Sequence, residues 1–264
     1  MSGEHMNISR SHQYYQSKQK DKDWKTKQMI EEALRLHPAY GHKRLAKYLK
    51  INKKRVLRVM KLFGIKPYRR TATKRFTTKK TGAVLPNYLM TQRPTHQGHI
   101  YASDFTYIKF QKKWVYVATV IDLYTREITG VSIMTTHNAQ LVMNALLSSV
   151  LYRPPPNIIH SDGGSEYKSQ DYTNILLNLG IQQSMSAPGC PWENGYQESF
   201  YKGFKIDLAD PNRFKTLGEL VAEIYLTINY YNRKRIHTAL GMSPLQFATK
   251  NSMSYAEKRR EKVS

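Results

Sequence analysis

The sequence holds a single cysteine, Cys190, which excludes an internal disulfide and any cysteine-rich zinc finger. No catalytic-cysteine signature surrounds it, so it reads as a spare buried thiol, compatible with a reducing compartment. No apolar run approaches the roughly 20 residues that a membrane span requires, and the first residues carry no apolar signal-peptide core. The expectation is a soluble, cytoplasmic protein. Internal repeats and leucine-zipper heptads are also missing. Acidic residues are scarce, with 19 Asp and Glu against 42 Lys and Arg and a formal net charge of +23. That imbalance does not suit an ordinary metabolic enzyme and points to a polyanionic partner.

The charge is unevenly placed. Residues 1–95 contain 24 Lys and Arg against 5 Asp and Glu, whereas residues 96–264 contain 18 against 14. A basic arm thus precedes a nearly balanced domain, and the 264 residues suffice for one sizeable core plus a smaller module. Residues 1–24 form a polar leader. Within residues 25–68, Met29, Ile30, Ala33 and Leu36 have helical spacing, and His37-Pro38-Ala39-Tyr40-Gly41 breaks the pattern. Leu45, Ala46, Tyr48 and Leu49 mark a second helix. Asn52 is placed to cap a third, which carries Val56, Leu57, Val59, Met60 and Phe63 and ends at Gly64. Three short helices bearing Lys43, Arg44, Lys53, Lys54, Arg55 and Arg58 fit a helix-turn-helix domain whose last helix enters the major groove. A small bundle with solvated charges is the alternative. Residues 69–95 read as a basic linker, in which Arg69 and Arg70 are placed to neutralise phosphates.

From residue 96 the pattern changes. Ile100 to Phe110 alternates as a strand does, with Ala102, Asp104, Thr106 and Ile108 on one face. Trp114 to Leu123 and Ile128 to Met134 are further strands, joined by hairpins. A helix from Asn138 to Leu151 stops at Pro154-Pro155-Pro156. A short strand, Asn157 to His160, leads to Asp162, followed by a helix near 170–179 and a strand from Ile181 to Met185. Helices follow near 194–208 and 217–231. The order βββαβαβα, with the acids placed as below, predicts an α/β protein with a ribonuclease-H-like core, a mixed five-stranded sheet covered by helices. The core spans residues 96–210, a helical extension residues 211–250, and a basic tail residues 251–264.

Three acids stand on separate elements: Asp104, Asp162 in His160-Ser-Asp-Gly-Gly-Ser-Glu-Tyr167, and Glu198. Phosphodiester transfer needs an activated oxygen nucleophile and relief of charge on the leaving oxygen, and two divalent ions about 3.5–4 Å apart supply both. Mg²⁺ prefers oxygen ligands, which carboxylates provide. Each acid alone has an ordinary reading: a strand or edge residue, a turn aspartate, a solvated helical glutamate. Together they suggest a metal-dependent enzyme that cuts and joins DNA. Asp122, Glu166 and Glu193 compete as ligands; Asp122 is placed to pair with Arg126, and Glu193 to favour a helix N-terminus. Lys202 and Lys205 lie four and seven residues after Glu198 on one helical face, suited to phosphate contact. His160 reads as a packed histidine. The basic, aromatic run Tyr230 to His237 suits DNA or a second subunit equally.

Residues 40–260 resemble the second-reading-frame transposases of the large insertion-sequence family typified by IS-three, whose catalytic core is similar to that of retroviral integrases. The stretches that carry the resemblance are Tyr40-Gly-His-Lys-Arg-Leu45, Ser103-Asp-Phe-Thr-Tyr-Ile108, Val120-Ile-Asp-Leu-Tyr-Thr-Arg126, His160 to Tyr167, Glu193-Asn-Gly-Tyr-Gln-Glu-Ser-Phe200 and Tyr231-Asn-Arg-Lys-Arg-Ile-His237. The resemblance implies a catalytic and metal-binding triad of Asp104, Asp162 and Glu198, holding two Mg²⁺ or Mn²⁺ ions. It implies cleavage at insertion-sequence ends and strand transfer by the freed 3′-hydroxyl, by a bacterial protein associated with the nucleoid when bound to DNA. Lys202 and Lys205 resemble lysines that touch DNA ends in integrases, and Asn194 belongs to the same DNA-contacting motif. The family usually has Asp-Asn-Ala where this chain has Glu193-Asn194-Gly195. Expected partners are double-stranded DNA (terminal inverted repeats and target), further copies of the chain, and a first-frame protein. A structure-specific nuclease on the same fold, or a non-catalytic DNA-binding regulator, is the alternative.

Overall fold

The computed structural model describes residues 19–68, 85–187 and 190–251, with Pro191 and Trp192 described by backbone alone. The leader through residue 18, the linker from Arg69 and Arg70 through 84, and the tail from 252 lie outside the described residues. The chain divides into two compact units, residues 1–68 and 69–264.

The first unit is three helices: α1 (Gln19–Leu36), α2 (His42–Tyr48) and α3 (Lys53–Leu62). Asn52 caps α3, its side chain accepting from the Lys54 N–H at 2.8 Å, and Gly64 beyond the helix takes φ +65°. The buried stripe of α1 is Asp23, Thr26, Ile30 and Ala33. Met29 and Leu36, expected to face the core, are exposed. The reason is an ion pair: Asp23 is buried and held by the Arg58 guanidinium of α3, which keeps the Asp23 carboxyl below the usual range. Accommodating Asp23 turns the helix away from the register that its apolar residues alone favour. Arg55 likewise donates to the Lys22 carbonyl at 2.8 Å. Arg55 and Arg58 therefore brace α1, whereas Lys43, Lys53 and Lys54 are exposed and Arg44 lies over the Tyr40 ring.

The second unit is built on a five-stranded sheet of order β3-β2-β1-β4-β5. Its strands are β1 (Ile100–Phe110), β2 (Lys113–Asp122), β3 (Ile128–Met134), β4 (Ile158–Ser161) and β5 (Gln182–Met185). The first three pair antiparallel; β1, β4 and β5 run parallel. The helices are α4 (Ala139–Tyr152), α5 (Gln170–Asn178), α6 (Gly195–Asp207) and α7 (Leu217–Arg233). Strand periodicity sorts β1 between two cores. Ile100, Ala102, Ile108 and Phe110 pack with Phe200, Phe204, Leu220 and Ile224 of α6 and α7. Tyr101, by contrast, packs with Leu141 and Leu146 of α4 and Leu176 of α5. The ribonuclease-H-like architecture is thus present, with β1 central. Residues 85–90 are not a loose connector: the Met185 N–H donates to the Pro86 carbonyl at 3.2 Å and the Tyr88 N–H to Ser184 at 2.9 Å, so they line β5.

Two sequence expectations change. Asp122 does not pair with the Arg126 side chain. Its carboxylate is buried and accepts from the N–H groups of Gly98, Tyr124 and Thr125, while the Arg126 guanidinium lies 4.0 Å from the Tyr196 ring centre. The Tyr230–His237 run is partly structural. Arg235 is buried, ion-paired with Asp207 at 2.7 Å, and Asn232 exchanges hydrogen bonds with both backbone groups of Ile128.

β3 meets α4 so closely that a Cβ on Gly130 would lie 2.1 Å from the Ala145 carbonyl oxygen. Gly130→Ala is therefore expected to force the helix off the sheet and lower unfolding stability by about 2 kcal/mol, read as a shift in the urea midpoint.

Candidate active site

The registered pairing of β1 with β4 ends at Ala102 opposite His160. Asp104 and Asp162 each lie two residues beyond that last pair, so they sit at equivalent positions on either side of the mouth where two parallel strands part. The split opens at the carboxyl end of β4, while β1 continues to Phe110; the end of a parallel strand beside a crossover is where α/β sheets form their crevices. Asp162 is exposed, and its Oδ1 accepts from the Gly164 N–H at 2.9 Å. A Cβ on Gly164 would come within 2.9 Å of that oxygen and 3.1 Å of Glu166 Oε2, so glycine is what lets the turn close over the carboxylate. Asp104 is half-buried, with Oδ1 accepting from the Phe105 N–H at 2.8 Å.

Glu198 arrives from α6, and a buried polar network fixes how that helix lies. The Gln197 amide donates to the Ala102 carbonyl at 2.7 Å and to the Thr119 carbonyl at 3.2 Å. Four residues on, the Tyr201 hydroxyl donates to the Asp104 carbonyl and meets the Thr119 hydroxyl at 2.8 Å. Gln197 and Tyr201 are thus one helical turn apart, on the same buried face, and Thr119 stands directly opposite Asp104 in the sheet. Glu198, half-buried beside this face, has its azimuth set by contacts to the strand that carries Asp104. The sequence reading missed this trio; its one signal was a pair of polar side chains at i and i+4 on an otherwise amphipathic helix.

The acids act on one another. Burial pushes the Asp104 carboxyl up to about 8, and the negative charges of Asp162 and Glu198 add to that rise. The Phe105 N–H and the Lys205 ammonium pull in the opposite direction. The three carboxylates and Lys205 therefore share one electrostatic field. Among the described residues no three His, Cys, Asp or Glu side chains converge closely enough to ligate one ion together, so the acids are gathered to interaction range and not to coordination distance. Clustered carboxyl oxygens are nonetheless the hard donors that a Mg²⁺-type cation fits.

The competing acids are otherwise engaged. Glu193 Oε2 accepts from the Asn87 amide at 2.7 Å and the Ala187 N–H at 2.8 Å, tying the loop before α6 to residue 87. Glu166 pairs with His137 at 3.0 Å, which keeps its carboxyl below the usual range even though burial opposes it. His160 is fully buried against Ser184, and burial pulls its imidazole down to about 4, leaving it neutral. Asn194 is buried, whereas Lys202 is exposed and the Lys205 ammonium lies 5.2 Å from the Tyr107 ring centre.

Residues 94–191 match the family model described as Integrase core domain, and residues 179–244 match a second model of that description. The chain is 35% identical over 225 residues to the transposase for insertion sequence element IS904 of Lactococcus lactis, covering 81% of this chain and 88% of that protein. It is 32% identical over 212 residues to an uncharacterized transposase-like protein of Haemophilus influenzae, covering 79% of this chain and 98% of the relative. With the transposase InsF for insertion sequence IS3A of Escherichia coli it shares 36% identity over 155 residues, 57% of this chain and 54% of that one. In fold it is similar to the HTLV-2 integrase catalytic core domain solved in complex with magnesium (TM-score 0.50, 19% identity, 59% of this chain and 99% of that one). A chain of the simian T-cell lymphotropic virus intasome is also similar (TM-score 0.53, 15% identity, 83% and 74%). Together, fold and relatives define a polynucleotidyl transferase with an integrase-type core. The chain belongs to the insertion-sequence transposases of the IS3 type.

The raised Asp104 carboxyl has a consequence for stability. In the folded protein without metal the group keeps its proton up to about pH 8, against an ordinary value of 3.8. The folded state then binds more protons than the unfolded state, so stability falls as pH rises through that window. The melting temperature without metal is expected to decline between about pH 4 and 8, and Asp104→Asn is expected to flatten the decline, as checked by thermal scans across pH.

Proposed function

We propose that Asp104, Asp162 and Glu198 hold the catalytic divalent ions, two Mg²⁺ or Mn²⁺, and that with them the chain cleaves the ends of its insertion sequence and joins the freed 3′-hydroxyl to target DNA. The observation that carries this is the placement of Asp104 and Asp162, each two residues past the last β1–β4 pair, beside the helix that brings Glu198; burial first, and the charges of Asp162 and Glu198 after it, raise the Asp104 carboxyl, and a dication would offset both. Bound ions would activate the attacking oxygen and stabilise the leaving one. The chain's own contribution is positional. Asp104 presents from the central strand, Asp162 from the turn closed by Gly164, and Glu198 from a helix clamped by Gln197 and Tyr201.

Lys205 lies in the field of Asp104 and Lys202 one turn before it is exposed, so both suit the phosphates of a DNA end entering this mouth. The three-helix unit supplies the duplex contacts as a helix-turn-helix, through Lys43, Arg44, Lys53 and Lys54. The retroviral neighbour is an intasome, and the same logic makes this chain act as more than one copy on DNA, with a first-frame protein as the partner that selects ends. Among the described residues no helix is long and apolar enough to cross a membrane.

Joining of an end-labelled duplex to a plasmid in Mg²⁺ separates this reading from a nuclease that only hydrolyses. Asp162→Asn is expected to lower cleavage and joining together by on the order of 10³-fold, since metal stabilisation supplies several kcal/mol. Retention of either activity refutes the metal assignment. Lys205→Ala is expected to weaken end binding and to reduce the slope of log affinity against log salt by about 1, as read by fluorescence anisotropy.

A further inference from the structure

Beyond Ala102, β1 has no registered partner on the β4 side, and its hairpin with β2 runs on past the acids. One face of this hairpin is aromatic and exposed. Tyr107 is 56% exposed and Trp114 46%. Register places Trp114 opposite Lys109 and Tyr116 opposite Tyr107, so all four share a face. The Tyr107 and Trp114 rings stand 5.2 Å apart at 90°, which makes an L-shaped notch. Strand alternation puts the notch on the face of β1 opposite Asp104, at the edge that β4 leaves uncovered, and Lys205 connects the two: its ammonium lies 5.2 Å from the Tyr107 ring centre and its charge acts on Asp104. Exposed Lys109, Lys112 and Lys113 flank it in the same hairpin.

A large apolar surface left in water within reach of Lys205, ringed by cations, has a partner of definite chemistry. Lysines track a phosphodiester backbone, and aromatic rings take base faces. Bases in a duplex are already stacked on one another, so only an unpaired nucleotide can present its face to the notch. We propose that Tyr107 and Trp114 form a stacking site for an unpaired base of the DNA strand that lies at the catalytic mouth, with Lys205 and the hairpin lysines holding its phosphates. The site rests on the DNA-end reading above and names the form of DNA that it prefers: an end with a single-stranded extension or a frayed terminus. A protein docking on the same face is the competing occupant.

The test uses the full chain without divalent metal and a short mixed-sequence duplex, either blunt or carrying a single-stranded extension whose first unpaired base is 2-aminopurine. The wild type is expected to bind the extended duplex about tenfold more tightly than the blunt one and to quench 2-aminopurine fluorescence. Tyr107→Ala combined with Trp114→Ala is expected to lose both the quenching and the preference while keeping its affinity for the blunt duplex. Tyr107→Phe with Trp114→Phe, which keeps the rings, is expected to retain both, and this separates stacking from misfolding. Asp162→Asn is expected to quench as the wild type does, so failure of the catalytic reading and failure of the stacking site are distinguishable. The proposal is overturned if the wild type shows no preference for the extension, if the alanine variant still quenches, or if alanine substitution weakens blunt and extended binding equally, as loss of a protein-docking or general packing face would.

Discussion

Like charges brought together in a half-buried place repel, and the second unit is organised around such a repulsion. Asp104 and Asp162 stand at matching positions on two parallel strands just past their last pairing, and Glu198 is brought in from a helix. Left alone, the arrangement is unfavourable: burial and the neighbouring charges hold the Asp104 carboxyl near 8. A fold keeps such a site only by compensating elsewhere, as strained functional sites generally require. Here the compensation is visible in the aromatic and aliphatic layer that α6 and α7 lay over β1 and in the hydrogen bonds of Gln197, Thr119 and Tyr201. Lys205 supplies positive charge that opposes the rise, and it comes from the same helix as Glu198.

Charge therefore has different work in the two units. In the three-helix unit it is partly spent inward, since Asp23 is buried and Arg58 neutralises it. The lysines at the start of α3 remain exposed. In the integrase-type unit Asp104, Asp162 and Glu198 meet in one electrostatic field, with Lys202 and Lys205 on α6 and Lys109, Lys112 and Lys113 on the β1–β2 hairpin. On the proposed reading, a DNA strand drawn to those lysines meets the carboxylates, which repel its phosphates unless cations intervene. That coupling is the physical reason for metal dependence in a site of this kind.

The strands and helices of the core were largely legible because their signals are local. β-branched and aromatic alternation marks β1 to β3, Asn138 caps α4 by accepting from the Leu141 N–H, and Gly180 closes α5 with φ +66°. The three acids were legible as a spaced set. Their mutual field was not, because it depends on the parting of β1 and β4, which no local pattern states. The clamp on α6 was hidden for a related reason: Gln197 and Thr119 are 78 residues apart, and a helical glutamine looks solvated until its strand is known. Met29 and Leu36 misled because apolar spacing alone ignores a buried Asp23 whose partner is 35 residues away. Arg235 read as a DNA contact or a docking residue, yet it is packed on Gly203 and paired with Asp207, a long-range choice that sequence spacing does not record.

The central claim is that a divalent cation replaces a proton at this mouth. Titration calorimetry of the metal-free chain with MgCl₂, repeated at one pH in buffers of different ionisation enthalpy, measures that exchange directly. With the Asp104 carboxyl near 8, binding at neutral pH is expected to release about one proton per site, and the release is expected to fade as the pH is raised well past that value. Magnesium binding without proton release at neutral pH, or with an affinity independent of pH across that range, would contradict it.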